Sequence, residues 1–187
     1  MGGCNNCICT STCKAFIGAG FNNAIIDSNT ASGIVSGRQN INCGNCSFIG
    51  AGRCNVVAGS VSNAFIGSGR GNCVRSNCSA IVGGCNNEIG ESSTCSFIGS
   101  GQDNIVCGNN SAILGGTTNN VNSHNNAFII GSNITTTAGC TAYVNNFYAT
   151  GSNGASNVVI LANLPTSDPG VAGQVWRSGN DLKISTG

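Results

Sequence analysis

Charge is what this sequence has least of. Lys and Arg number 7 and Asp and Glu 6, so 7% of the 187 residues are charged and the net charge is +1. Ordinary soluble domains carry about 25% charged residues, so Asn, Ser, Thr and backbone groups must wet this surface. Without a basic excess there is no long-range attraction for phosphate backbones, and no nucleic-acid partner is expected. Disorder is excluded too, because disordered chains combine few apolar residues with high net charge and here 40% are apolar.

Other absences narrow the function. No apolar run approaches the roughly 18 residues of a membrane span, so no membrane insertion is expected. The opening MGGCNNCICT has neither a basic start nor an apolar stretch of secretory length, and Asn6 stands where myristoylation wants Ser or Thr. His124 is the single histidine, and the acids Asp27, Glu88, Glu91, Asp103, Asp168 and Asp181 are scattered. No nucleophile–base set and no phased carboxylate pair emerges from them. The chain is therefore not expected to be an enzyme.

What is abundant is glycine, with 29 copies, and cysteine, with 13. The glycines follow a repeat. Each unit opens on a small residue and apolar residues, runs into glycine, then reads Gly-x-x-Asn before another apolar residue. AFIGAGFNNAI, SFIGAGRCNVV, AIVGGCNNEI and SFIGSGQDNIV are copies. The pairs are Gly20/Asn23, Gly37/Asn40, Gly52/Asn55, Gly69/Asn72, Gly84/Asn87, Gly101/Asn104 and Gly116/Asn119, with an earlier one at Gly3/Asn6. From Gly3 to Gly116 the glycines are spaced by 17, 17, 15, 17, 15, 17 and 15 residues.

Short β-branched or aromatic pieces bounded by Gly, Asn and Ser are strand-and-turn chemistry, and no helical stripe recurs. A period near sixteen suits one coil of a parallel β-solenoid, with two short strands and two tight turns. Equivalent residues then stack in columns about 4.8 Å apart. The glycines are expected at positive φ or where backbones approach, and the asparagines as a side-chain amide ladder. Phe16, Phe48, Phe65, Phe97 and Phe128 are expected to alternate with Ile34, Ile81 and Ile113 in one large apolar column, either the protomer core or an intersubunit seam.

The array is expected over residues 1–140, a transition segment with a buried strand (157–164) over 141–163, and a small β cap over 164–187. Within the cap, GQVWRSGNDLKIS reads as a hairpin, and Trp176 is a plausible anchor. The predicted class is all-β, a parallel β-solenoid of ~16-residue coils with a small C-terminal β cap.

Two groups of proteins have similar sequences. SFIGSGQDNIVCGNNSAILGGTTNNV resembles the head repeats of trimeric autotransporter adhesins, which fold as a left-handed parallel β-roll. HNNAFIIGSNITTTAGCTAYVNNFYATG and LPTSDPGVAGQVWRSGNDLKIS look more like phage and large-virus fibre proteins, tail or head fibres. The resemblance implies a homotrimer in a virion assembled in the host cytoplasm, alongside other virion proteins, serving as a rigid spacer or host-surface adhesin. The alternative it leaves is a bacterial surface adhesin or extracellular fibril module of the same fold.

The cysteines look like metal ligands at first. Cys4, Cys7, Cys9 and Cys13 form C-x2-C-x-C-x3-C, and Cys43/Cys46 is another C-x2-C. Set on the repeat they fall in different columns, as small apolar filler, so no metal and no cofactor is expected. Cys78 and Cys95 share a column in adjacent coils, close enough for a disulfide if oxidised. Arg38, Arg53 and Arg70 each follow a repeat glycine in successive coils. If those turns superpose, they form a basic column suited to an anion such as an acidic cell-surface glycan.

Overall fold

The structure, a computed structural model, describes residues 2–9, 13–26, 31–146 and 164–187. The expected strand at 157–164 lies outside them except for Leu164. The chain divides into two compact units, Met1–Asn146 and Phe147–Gly187.

The first unit is the parallel β-solenoid that the repeat predicts, and no helix occurs among the described residues. Each coil contributes one short strand to each of two sheets. The first sheet stacks Cys7–Ile8, Ala24–Ile25, Ile41–Asn42, Val56–Val57, Cys73–Val74, Glu88–Ile89, Ile105–Val106 and Asn120–Val121. The second stacks Phe16–Ile17, Gly33–Ile34, Phe48–Ile49, Phe65–Ile66, Ala80–Ile81, Phe97–Ile98, Ala112–Ile113, Phe128–Ile130 and Ala142–Val144. Every pairing within these two sheets is parallel and in register from coil to coil.

Successive strand residues point to opposite faces, and the second residue of each pair points inward. The core is therefore two facing columns of β-branched side chains. Ile25, Val57, Val74, Ile89, Val106 and Val121 line one side; Ile34, Ile49, Ile66, Ile81, Ile98, Ile113 and Ile129 line the other, all 0% exposed. Each such side chain contributes about 1.5–3 kcal/mol by leaving water. Asn42 interrupts the first column, and its amide is fully used: Nδ2 donates to the Gly33 and Ser47 carbonyls, and Oδ1 accepts from the Gly44 N–H. Past residue 140 the second sheet continues, and Tyr143 takes the next inward place, paired with Ile129. Its hydroxyl accepts the N–H of Thr137 and of Ala138, tying the last layer to its own loop.

The register corrects the expected phenylalanine column. Phe16 pairs with Gly33, and Phe97 with Ala80 and Ala112. Ile34, Ile81 and Ile113 pair instead with the isoleucine one place after each phenylalanine. Aligning the first bulky residue of GIVSG or AILGG with Phe shifts those units by one residue, and a one-residue shift reverses the face of a strand. The phenylalanines thus lie outside the protomer core.

Two polar ladders close the coils. At the Gly-x-x-Asn corner, each Asn Oδ1 accepts the backbone N–H of the Asn one coil later. Asn23 does so from Asn40, and Asn55 from Asn72, both at 3.0 Å. The Asn Nδ2 donates to two carbonyls: in Asn23 those of Ala19 and Gly37, in Asn40 those of Ser36 and Gly52, in Asn55 those of Ala51 and Gly69.

This corner corrects one expectation and extends another. The repeat asparagines do not wet the surface: Asn23, Asn40, Asn55, Asn72, Asn87 and Asn104 are 0% exposed, and Asn119 is 1% exposed. The expected amide ladder is present, and the same amides also bond the backbone. Contacts such as Asn40 Nδ2 to Asn23 Oδ1 at 3.1 Å accompany bonds that run mainly from side chain to backbone. The physical reason is the tight turn, whose N–H and carbonyl groups point inward and need partners there. The asparagine amide supplies both donor and acceptor, so its burial leaves no unmet hydrogen bond.

At the other corner serines do the same: Ser79 Oγ accepts the Ser96 N–H at 3.1 Å and donates to the Ser93 carbonyl at 3.0 Å. Glycine is needed where coils nearly touch. At Gly52, φ is +104 and a Cβ would stand 2.1 Å from the Gly69 oxygen.

The alternation of period falls entirely at the serine corner. Six residues separate Ile49 from Val56, Ile66 from Cys73 and Ile81 from Glu88. Between the sheets in the other direction, seven separate Val57 from Phe65 but five separate Val74 from Ala80, and seven again separate Ile89 from Phe97.

The second unit contains the expected hairpin, Val175–Ser178 antiparallel to Asp181–Ile184, with Ser178 opposite Asp181. Gly179 has φ +62 at the first loop position, the positive value that type II′ turns require there. Trp176 belongs to this hairpin, with its indole N–H buried and without a hydrogen-bond partner among the described residues.

Candidate functional site

The arginine turns superpose. Residue-by-residue bridges run Phe21–Arg38, Arg38–Arg53, Arg53–Arg70 and Arg70–Cys85, so the three arginines occupy consecutive layers of one column. Their backbones are held rigidly: the N–H groups of Arg38, Arg53 and Arg70 donate to the carbonyls of Gly52, Gly69 and Gly84. The asparagine ladder of Asn23, Asn40, Asn55 and Asn72 lies at the same corner and fixes the turns from inside. All three arginine side chains reach solvent. Layers repeat about every 4.8 Å, which places three like charges side by side.

Nothing described neutralises them. The ion pairs among the described residues are Arg75–Glu88 and Lys183–Asp181. Asp103, at the same corner, instead accepts from Gln102 and Asn86. A row of guanidiniums with no ionic partner among the described residues repels itself, and an anion bound there would relieve that repulsion. Arginine suits the task because its planar fork grips carboxylate or sulfate at two points. Above and below the row the column continues as uncharged Phe21 and Cys85, so the charge is confined to three layers.

The outward face of the second sheet is a second surface. Phe16, Phe48, Phe65 and Phe128 are exposed there, with Phe48 and Phe65 stacked at 6.0 Å and 6°. The two outward positions of each strand are filled in complement. Where the first is Phe the second is usually Gly, as in Phe65/Gly67; where the first is Ala or Gly the second is Val or Leu, as in Ala80/Val82. A Cβ at Gly67 would lie 2.3 Å from the Val82 carbonyl oxygen and 3.3 Å from the Phe65 ring. Val35, Val82, Leu114, Ile130 and Val144 complete an apolar stripe along the sheet, each more than 40% exposed. The aliphatic half of this stripe was hidden by the one-residue shift described above.

The cysteines spread over several columns. Cys73 lies in the first sheet, where burial pushes its thiol above the ordinary value. Burial likewise raises the Cys107 thiol. Cys46, Cys78 and Cys95 sit at left-handed corner positions, with φ of 48, 54 and 56, and are exposed. The Cys95 N–H donates to the Asn77 carbonyl, which puts Cys95 one layer from Cys78 in that corner column. No group of three His, Cys, Asp or Glu side chains able to hold a metal occurs among the described residues. Arg75 and Glu88, 13 residues apart in sequence, meet in neighbouring coils with Nε to Oε1 at 2.9 Å. That contact holds the Arg75 guanidinium above its ordinary value. Its signal in the sequence is columnar: Glu88 pairs with Cys73, two residues before Arg75.

No protein-family model matches the chain, and no curated protein does.

Proposed function

We propose that this chain is a structural fibre or appendage protein of a virion, a homotrimeric rod that works as a rigid spacer or host-surface adhesin. The observation carrying the reading is the apolar stripe on the second sheet. Its exposed phenylalanines and aliphatic residues run through nine layers, whereas soluble monomers rarely expose contiguous apolar patches beyond a few hundred Å². Copies of the chain packed by these faces remove the stripe from water. At about 4.8 Å per layer, the solenoid unit is a stiff element suited to setting a distance. The Arg38–Arg53–Arg70 column adds an anion contact, and an acidic cell-surface glycan is the partner it fits. Repetition of that contact on identical copies multiplies a weak affinity per site. The viral assignment draws on the similarity of the repeats and of residues 164–185 to fibre proteins.

Light scattering on the purified full chain tests the assembly, with three times 18.6 kDa expected. A monomer at micromolar concentration overturns it. Imaging of native particles with a labelled chain tests the location, and a label absent from virions overturns the viral assignment.

A further inference from the structure

The alternation of long and short coils leaves a gap in the serine corner. The coil that turns through Arg75, Ser76 and Asn77 is two residues shorter there than the coils on either side, which bulge out at Gly59–Ser60 and at Glu91–Ser92. A notch about one layer thick, roughly 4.8 Å, therefore opens between two walls over a short floor. The floor is fixed to both. The Ser62 N–H donates to Asn77 Oδ1 at 2.7 Å, the Ser93 N–H donates to Ser76 Oγ at 3.0 Å, and Ser76 Oγ donates to the Glu91 carbonyl at 3.2 Å.

The notch forms a cavity of about 260 Å³ lined by Ala58, Ser60, Val61, Arg75, Asn77 and Glu91. A second, of about 410 Å³, adjoins it and shares Arg75 and Glu91. Pockets for drug-sized ligands run from about 300 to 1,000 Å³, so each half suits one small ring and the pair suits two in a row.

We infer that this notch is a binding site for a neutral saccharide, entered edge-on by a pair of sugar rings. The chemistry of its walls selects that class. Arg75 spends Nε on Glu88 and keeps its terminal nitrogens; Asn77 keeps Nδ2; the Glu91 carboxylate accepts from no other described residue. Donors and acceptors are thus interleaved within one narrow slot. Sugar hydroxyls are both, and satisfy such a wall from one edge. An anion meets Glu88 and Glu91 together, and a cation meets Arg75, so neither gains from the slot as a whole. Ala58, half-buried at the edge of the notch, gives the C–H face of a ring something apolar to lie on. Both walls and floor belong to a hydrogen-bonded scaffold, so little ordering is required on binding.

The site lies at the corner opposite the arginine column and goes beyond the function proposed above. Saturation-transfer NMR on the full chain tests it, with lactose, maltose and diacetylchitobiose as probes and a hyaluronan disaccharide as the acidic control. At least one neutral disaccharide is expected to bind, with affinity lowered tenfold or more by Arg75→Ala and by Glu91→Gln, and unchanged by Arg53→Ala. Inserting Gly-Ser between Ser76 and Asn77, which lengthens the short coil to match its neighbours, is expected to abolish binding. Glu91→Gln keeps the test decisive if Arg75→Ala harms folding, since it leaves the Glu91 carbonyl that accepts from Ser76 and removes only a carboxylate with no hydrogen bond to a described residue. Binding by none of the three neutral sugars overturns the inference, as does binding undiminished in these variants or a preference for the acidic sugar at the notch. The mass of the assembly, measured on the same samples, reports separately on the trimer.

Discussion

Asn72 accepts the backbone N–H of Asn87 on its Oδ1 at 3.0 Å while donating Nδ2 to the carbonyls of Ser68 and Gly84 at 3.0 and 3.1 Å. One buried side chain thus satisfies groups in its own coil and in the next. Asn72→Ala strands the buried Asn87 N–H and the Ser68 carbonyl, while the Gly84 carbonyl keeps the Arg70 N–H. A buried polar group left unpaired costs about 1–3 kcal/mol, so the urea midpoint is expected to fall clearly. Asn72→Asp is expected to fall as well, because a carboxylate keeps the acceptor and loses both donors. An unchanged midpoint in both variants removes the ladder from the account of stability.

The two faces of one strand separate folding from assembly. Phe65 is 39% exposed and Ile66 is fully buried. Phe65→Ser is expected to leave the solenoid folded by circular dichroism while lowering the mass in solution to that of one chain. Ile66→Ala is expected to cost about 2–5 kcal/mol by opening a cavity in the core. A Phe65→Ser protein that keeps its full mass assigns the seam to another surface.

Binding of acidic polysaccharide through the arginine column is expected to weaken as salt rises, because exposed charges are screened. Arg53→Ala removes the middle charge and splits the row. Affinity for heparin at low salt is expected to drop several-fold, with a shallower salt dependence. Equal binding by the variant at every salt concentration removes the column as a site.

Oxidation gives a positional test of the register. Cys78 and Cys95 are exposed in neighbouring layers, and one layer of about 4.8 Å lies within the usual Cα range of a disulfide. Mild oxidation is expected to link them to each other, seen as one cross-linked peptide by mass spectrometry. Cys43 is buried and is expected to resist alkylation until the chain unfolds. A Cys78 that pairs instead with cysteines several layers away contradicts the stacking.

In the second unit, the Ser185 hydroxyl and the Gly170 N–H hold the Asp168 carboxyl below its ordinary value. A folded value lower than the unfolded one means the carboxylate form is favoured by folding. The contribution is therefore present above the unfolded pKa and is lost as pH falls through the folded one. NMR titration is expected to show Asp168 moving up towards the free value in Ser185→Ala. No movement assigns the shift to another cause.

Much of the solenoid was legible because its columns are written in the spacing of Gly-x-x-Asn. The six-residue Asn corner never varies, so counting from it places Arg38, Arg53 and Arg70 in one column without coordinates. Spacing also put Asn23 and Asn40 in one column, but it could not show that their amides turn inward to the backbone. The strand faces were less legible. Two-residue strands give no run of alternation to count, and Phe, Val and Ile stand next to one another in AFIG and GIVS. Only the backbone pairing of Phe16 with Gly33 decides which of them faces in. The notch was hidden for another reason. The spacings of 15 and 17 were visible, but which corner absorbs the difference depends on where each strand ends. Tyr143 was obscured because its inward place follows a loop that breaks the repeat.

The asparagine ladder has a direction. In the order of the chain, each Oδ1 waits for an N–H that belongs to the coil synthesised next, as Asn104 waits for Asn119 and Asn119 for Ile134. A finished coil is thus a template whose complement is the segment about to leave the ribosome. Contacts reach no farther than one period along the ladder, so the rod can grow one layer at a time in the order of translation, without searching a distant partner.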